Sequence, residues 1–254
     1  MLRRVSCYGG ANLSMASNKT VIVTGASQGI GAALVRAFLE RGYNVVGTSR
    51  NTSKAGLGPL PKLTLVDGDI GQAATAKKVA DAAMSKFGSI DHLVNNAGIF
   101  STQTFTDCTA DELRCLISTN LEGPIFLTQL AVKQMLAQGM GGSVTSISAA
   151  LADNPFAGFP ASIPMMTKAA LNAITMNLAV EYAKYNIRFN AVAPGAVDTP
   201  LNANNPKDLL KTLSPMGIIS DAKDIADAVI YLTEARHVTG EVLHVDGGMH
   251  VGRW

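Results

Sequence analysis

The sequence predicts one α/β domain, a doubly wound parallel sheet of about seven strands with helices on both faces. Three observations predict it. Short apolar runs alternate with helix-length amphipathic segments from Lys19 almost to the C-terminus. The first run, Thr20–Thr24, is apolar without a period-two break, as expected of a strand covered on both faces. No internal repeat, low-complexity tract or linker divides the 254 residues, a length that one large domain can fill.

The elements follow in order. A helix is expected over about 30–40, ending before Gly42, and strands at Asn44 to Thr48 and Leu63 to Val66. The segment 51–61, with two prolines and two glycines, leaves little room for a helix between those strands. A helix rich in Ala, Lys and Val covers about 73–87, and the fourth strand is His92–Asn95. One long helix over about 110–138 has a weak point at Gly123-Pro124, and a strand at Ser143 to Ile147 follows it. Next come a helix over 162–185, with Ser162 as the expected N-cap, and a strand at Ile187 to Val192. Residues 199–220 hold two short amphipathic pieces and three prolines, a lid-like composition. A helix over 221–233 and a strand at 241–245 close the unit. Repeated β-α units of this length imply right-handed crossovers.

Bulk properties narrow the partners. Hydrophobic residues make up 47% of the chain and the formal charge is +2, with no Lys/Arg block interleaved with aromatics, so nucleic acid is not an expected partner. The long weakly charged stretch 141–167 is broken by Asp153, Pro155, Pro160 and Pro164, and no membrane span is expected. Cys7, Cys108 and Cys115 are odd in number and uninformatively spaced; they read as free thiols of a reducing compartment, and no metal site is expected. Residues 1–18 read as a flexible leader ahead of a catalytic domain spanning 19–254. The leader carries Arg3 and Arg4 and no acid, a bias shared with presequences. The expected location is the cytoplasm.

Between the first strand and first helix stands Thr24-Gly25-Ala26-Ser27-Gln28-Gly29-Ile30-Gly31. Gly25 permits a tight turn, Gly29 lets backbone approach a pyrophosphate, and Gly31 lets helix and strand pack closely. The phosphate charge then meets the free N–H groups and positive dipole end of the helix. Thr24, Gly25, Ser27, Gln28, Gly29, Ile30 and Gly31 are therefore candidate cofactor-binding residues of a Rossmann-type site.

Further motifs follow: Asp69-Ile70, Asn95-Asn96-Ala97-Gly98, Asn120, Lys168, Pro194-Gly195 and Val245-Asp246-Gly247-Gly248. In order and spacing this set resembles the short-chain dehydrogenase/reductase family, over residues 19 to about 248. The resemblance implies that Asp69 and Ile70 meet an adenine and that Asn96, Ala97 and Gly98 line the adenosine side. It also implies that Asn95 braces the central strands. Val197 and Thr199, after Pro194 and Gly195, would hold a nicotinamide carboxamide. Homodimers or homotetramers built on the helices 110–138 and 162–185 are implied as well.

Cofactor choice turns on the end of the second strand. An acidic residue there would bind a ribose 2′-hydroxyl, but this chain has Thr48-Ser49-Arg50. A hydroxyl and a guanidinium suit a 2′-phosphate, so Ser49 and Arg50 predict NADP(H) over NAD(H), the latter remaining possible.

The family's reaction uses a tyrosine to transfer the proton, four residues before the lysine. Here that place is Pro164, and no tyrosine occurs between Tyr43 and Tyr182. The strand motif puts Ala149 where the resemblance expects an orienting serine, with Ser148 one place earlier. The loop 149–164 is also about two residues longer than the family pattern. Candidate catalytic residues are Asn120, Ser148, Lys168 and Asp153, with Lys168, Asp153 or Ser162 as replacement donors. Phe156, Phe159, Met165 and Met166 are equally compatible with an apolar substrate pocket and with packing. Proline in the first helical turn leaves the fold intact. The expected function is reduction of a small carbonyl or pre-activated C=X or quinone acceptor with an altered proton donor. The alternative is a catalytically silent NADP(H)-binding sensor or scaffold.

Overall fold

Val21, Ile22 and Val23 are wholly buried, because the strand that carries them lies at the centre of the sheet with helices above and below. The structure is a computed structural model that describes residues 18–252. The leader expectation thus falls, apart from Asn18, outside the described residues. Seven strands run parallel: β1 (Thr20–Thr24), β2 (Asn44–Ser49), β3 (Leu63–Asp67), β4 (His92–Asn95), β5 (Gly142–Ile147), β6 (Ile187–Pro194) and, later, β9 (Val242–Val245). Their order is β3-β2-β1-β4-β5-β6-β9. The winding reverses between β1 and β4, so a crevice opens beyond the carboxyl ends of those two strands.

Helices α1 (Gly29–Glu40), α2 (Ala73–Phe87), α4 (Gly123–Gln138) and α5 (Ser162–Tyr182) serve as the crossovers. Two apolar clusters result, one on each face of the sheet. The first packs Leu34, Val35 and Phe38 of α1 against Ile225, Val229 and Leu232 of α7 (Ala222–Glu234). The second packs Ala76, Val79 and Ala83 of α2 against Leu127, Ala131 and Met135 of α4.

The break expected in the long helix has a definite form. Helix α3 (Ala110–Ile117) opens on a capping box, in which Thr109 Oγ1 accepts from Glu112 N at 3.2 Å and Thr109 N donates to Glu112 Oε2 at 2.9 Å. It then widens into one π turn, Ser118–Glu122, before α4 resumes. Such turns re-aim a side chain without ending a helix, and the residue re-aimed here is Asn120.

Other expectations need correction. Ser162 is the first residue of α5 rather than its cap; Ala161 holds the cap position and offers no side-chain bond. The helix ends at Tyr182, and Ala183–Tyr185 is a tighter 3₁₀ turn. The segment 51–61 needs no correction: it holds only one short 3₁₀ turn, Thr52–Ala55, where Asn51 Oδ1 accepts from Ser53 N at 3.1 Å. The segment 199–220, of lid-like composition, has a feature that hydropathy does not show. Its two ends pair as short parallel strands, β7 (Val197–Asp198) with β8 (Ser220–Asp221), which clasps the base of a segment containing α6 (Lys207–Lys211). Lys207 Nζ lies 2.6 Å from Asp198 Oδ2 across that clasp.

Candidate active site

The glycine turn and the loop after β4 are sewn together by one hydroxyl. Thr24 Oγ1 accepts from Asn96 N and Ala97 N, both at 2.9 Å. Asn96 Nδ2 donates back to Thr24 O at 2.8 Å. Gly25 and Gly29 hold φ of +68° and +52°, the left-handed region that favours glycine. A Cβ on Gly31 would stand 2.0 Å from Gly25 O, and one on Gly29 would stand 3.2 Å from Thr199 Cβ. Thr199, at the start of the segment 199–220, therefore lies over the turn. Val197 is buried beside it, and Gly195 packs within 2.9 Å (from a built Cβ) of Asp246 Cα.

At the end of β2, Ser49 Oγ is buried with no hydrogen-bond partner, and the next residue, Arg50, is exposed and makes no ion pair among the described residues. Asp69 Oδ1 accepts from Gly71 N at 3.0 Å in a tight turn, and Ile70 is buried. Asn95 Nδ2 donates to Thr128 Oγ1 at 2.9 Å, tying β4 to α4. Unspent donors at one end and a side-chain-free cradle at the turn fit a nicotinamide dinucleotide with its pyrophosphate at the turn.

Beyond β4 the chemistry-bearing groups converge. A Cβ on Gly98 would lie 3.1 Å from Lys168 Nζ and 3.4 Å from Asn120 Oδ1, and Gly98 itself is exposed, so both groups stand close behind an exposed stretch of backbone. Lys168 Nζ donates to Ile147 O at 2.7 Å. Although the residue retains some exposed surface, protein surrounds the ammonium closely enough that desolvation lowers its pKa from 10.5 to about 8. Asn120 is fully buried in the π turn; its Oδ1 accepts from Ile99 N at 2.9 Å, and its Nδ2 donates to Ile99 O and Thr167 Oγ1, both at 3.0 Å. Thr167 Oγ1 donates in turn to Pro164 O at 2.7 Å. That threonine is a bracing residue the motifs did not single out.

Two candidates stand differently. Ser148 is 4% exposed, and its hydroxyl donates to Lys168 O at 3.2 Å, so it fixes the lysine's backbone. Asp153 receives Asn172 Nδ2 on both oxygens at 3.2 Å and lies 3.4 Å from His244 Nε2. His244 stacks on His250 with ring centroids 3.9 Å apart, and His250 Nδ1 is 2.9 Å from Asp246 Oδ2. No spacing links Asp153 to His244, since they meet only through folding. Met165 is half-buried and Met166 is 46% exposed on α5.

A family model described as enoyl-(acyl carrier protein) reductase matches residues 25–250. The chain belongs to the short-chain dehydrogenase/reductase family. Relatives within the family include 3beta-hydroxysteroid dehydrogenase 1 of Eggerthella lenta, 35% identical over 91% of this chain and 93% of that protein. The L-rhamnose 1-dehydrogenase (NAD(P)(+)) of Azotobacter vinelandii is 34% identical over 92% and 97%. Among solved structures, a short-chain type dehydrogenase/reductase from Mycobacterium marinum superposes with a TM-score of 0.87 at 28% identity, covering 94% of this chain and 98% of its own. Membership of this family makes an oxidoreductase of the Rossmann type the coarse functional class. Among the described residues no helix is long and apolar enough to cross a membrane.

Proposed function

We propose that this short-chain family member is an NADPH-dependent reductase whose proton donor is Lys168, standing in for the tyrosine that the family resemblance expects at Pro164. One observation carries the reading: an ammonium with a pKa of about 8 borders an exposed glycine at the crevice. A bound reduced nicotinamide supplies hydride. Lys168 holds the proton at Nζ, and the Ile147 carbonyl fixes its direction. Asn120 holds Ile99 and Thr167 around it, and Ser148 anchors the helix turn through Lys168 O. Asp153 acts by position, joining the loop after β5 to α5 and β9.

Ser49 and Arg50 favour the phosphorylated cofactor, through a hydroxyl and a guanidinium that have no partner among the described residues. The Azotobacter relative is named for either nicotinamide. The acceptor is a small carbonyl or a pre-activated C=X or quinone. Isolated alkoxides need acid help worth about 10²–10⁴ in rate, and Lys168 is the group read here as giving it. The protein is read as a cytoplasmic homodimer or homotetramer. In support, Met176 and Val180, one turn apart on α5, are 50% and 82% exposed.

The test is a titration with NADPH followed by fluorescence, then absorbance loss with ketones, quinones and cyclic imines. Oxidation of bound NADPH by any of them supports the reductase. Tight binding without oxidation by any acceptor replaces it with the sensor.

A further inference from the structure

Three phenylalanines near the crevice have no part in the chemistry above. Phe100 stacks on Phe159 with ring centroids 5.9 Å apart and planes 20° from parallel, and Phe156 leans on Phe159 at 5.3 Å and 33°. All three are only half-buried, and none belongs to either apolar cluster of the core. Phe100 lies two residues beyond Gly98, the residue against Lys168 Nζ. Gln103 N donates to Pro160 O at 3.0 Å, so the loop carrying Phe100 is tied to the loop carrying Phe159. A partly exposed aromatic shelf thus stands on the loops that follow β4 and β5, the same two loops near whose starts Gly98 and Ile147 lie against Lys168 Nζ.

We infer that this shelf selects flat, conjugated acceptors, quinones above all, which stack on Phe100 and Phe159. The inference rests on the reductase reading. Aromatic rings pair best offset-stacked or edge-on with centroids 4.5–7 Å apart, the range the shelf's own rings already occupy. A small aliphatic ketone is positioned by hydrogen bonds, but Ser148 is committed to Lys168 O and Pro164 has no side-chain donor. A planar ring is positioned through its faces and needs no such donors. The chemistry agrees. A quinone takes up hydride on one carbonyl oxygen or ring carbon and one proton on oxygen, becoming the hydroquinone, while the reduced nicotinamide is oxidised to its cation. The charge that develops spreads over the ring, so the Lys168 ammonium, or water beside it, meets a lighter demand than an alkoxide would impose.

The test uses Phe100→Leu and Phe159→Leu, which keep apolar bulk and remove the ring. Calorimetry measures binding of 2-naphthol, which cannot accept hydride, to the full chain loaded with NADP⁺. Kinetics compare 1,4-naphthoquinone with 2,3-butanedione. Each variant is expected to weaken 2-naphthol about tenfold, the scale of one aromatic pair. Each should lower kcat/KM for naphthoquinone by a similar factor, with NADPH binding and butanedione little changed. Equal 2-naphthol affinity in variants and parent overturns the shelf. Faster turnover of both acceptors in the variants also overturns it, marking the phenylalanines as a plug. If 2-naphthol binding falls as expected but no acceptor oxidises NADPH, the reductase reading and the quinone assignment fail together. The shelf would then survive only as an aromatic-binding surface.

Discussion

Replacing Lys168 tests the proton donor through the shape of a pH profile. Desolvation sets the ammonium at a pKa of about 8. From that value, the protonated fraction is about 0.9 at pH 7, about 0.1 at pH 9 and about 0.01 at pH 10. If the ammonium delivers the proton, kcat at saturating NADPH falls through pH 8, approaching tenfold per unit. Lys168→Arg keeps a positive charge whose pKa stays above ~12, so this descending limb should vanish up to pH 10, whatever the absolute rate. Lys168→Met removes the proton altogether and should cost about 10²–10⁴ in rate with a poorly activated carbonyl, and less with a quinone. Stopped-flow single turnovers with NADPH pre-bound keep cofactor affinity out of the measurement. A limb near pH 8 that persists in Lys168→Arg would refute the assignment, because some other group would then carry the proton.

Other outcomes follow from the same geometry. Arg50→Ala should raise KM for NADPH far more than for NADH in steady-state assays; equal effects would remove the 2′-phosphate assignment. Gly31→Ala places a Cβ 2.0 Å from Gly25 O, so the turn must move. A loss of roughly 1–3 kcal/mol in thermal unfolding should accompany weaker NADPH binding. His92 is buried, and desolvation drives its pKa from 6.5 to about 3. The unfolded chain therefore takes up this proton first on acidification. Stability is whole above about pH 6.5 and declines towards pH 3, by up to about 4 kcal/mol, and denaturant midpoints of His92→Gln should show a shallower decline. Val180→Asp, at an 82% exposed position on α5, should shift the chain towards monomer in light scattering if that face pairs subunits.

Much of this architecture was legible because the code involved is local. Continuous apolar runs of strand length marked the buried parallel strands, and Gly123-Pro124 marked the end of the π turn in the long helix. The glycines between Thr24 and Gly31 foretold a tight turn at Gly25, and the structure adds a second positive φ at Gly29, a conformation that glycine enters cheaply. Short-range surprises came from caps. Ser162 has a good capping side chain, yet the helix begins on it, with Ala161 in the cap position.

Residue order determined the fold class, the family and the absence of a tyrosine four places before Lys168. Only the tertiary structure decided what the remaining polar groups do. Ser148 turned out to be spent on Lys168 O, Asp153 to face His244, 91 positions further along the chain (244 minus 153), and Thr167 to link Asn120 with Pro164 O. The lysine's lowered pKa likewise comes from the protein packed around it. Hydrophobic periodicity reports which face of an element is buried, a property of neighbours in the chain. Hydrogen-bond direction and desolvation belong to neighbours in space, and those are assembled only when the strands take their places in the sheet.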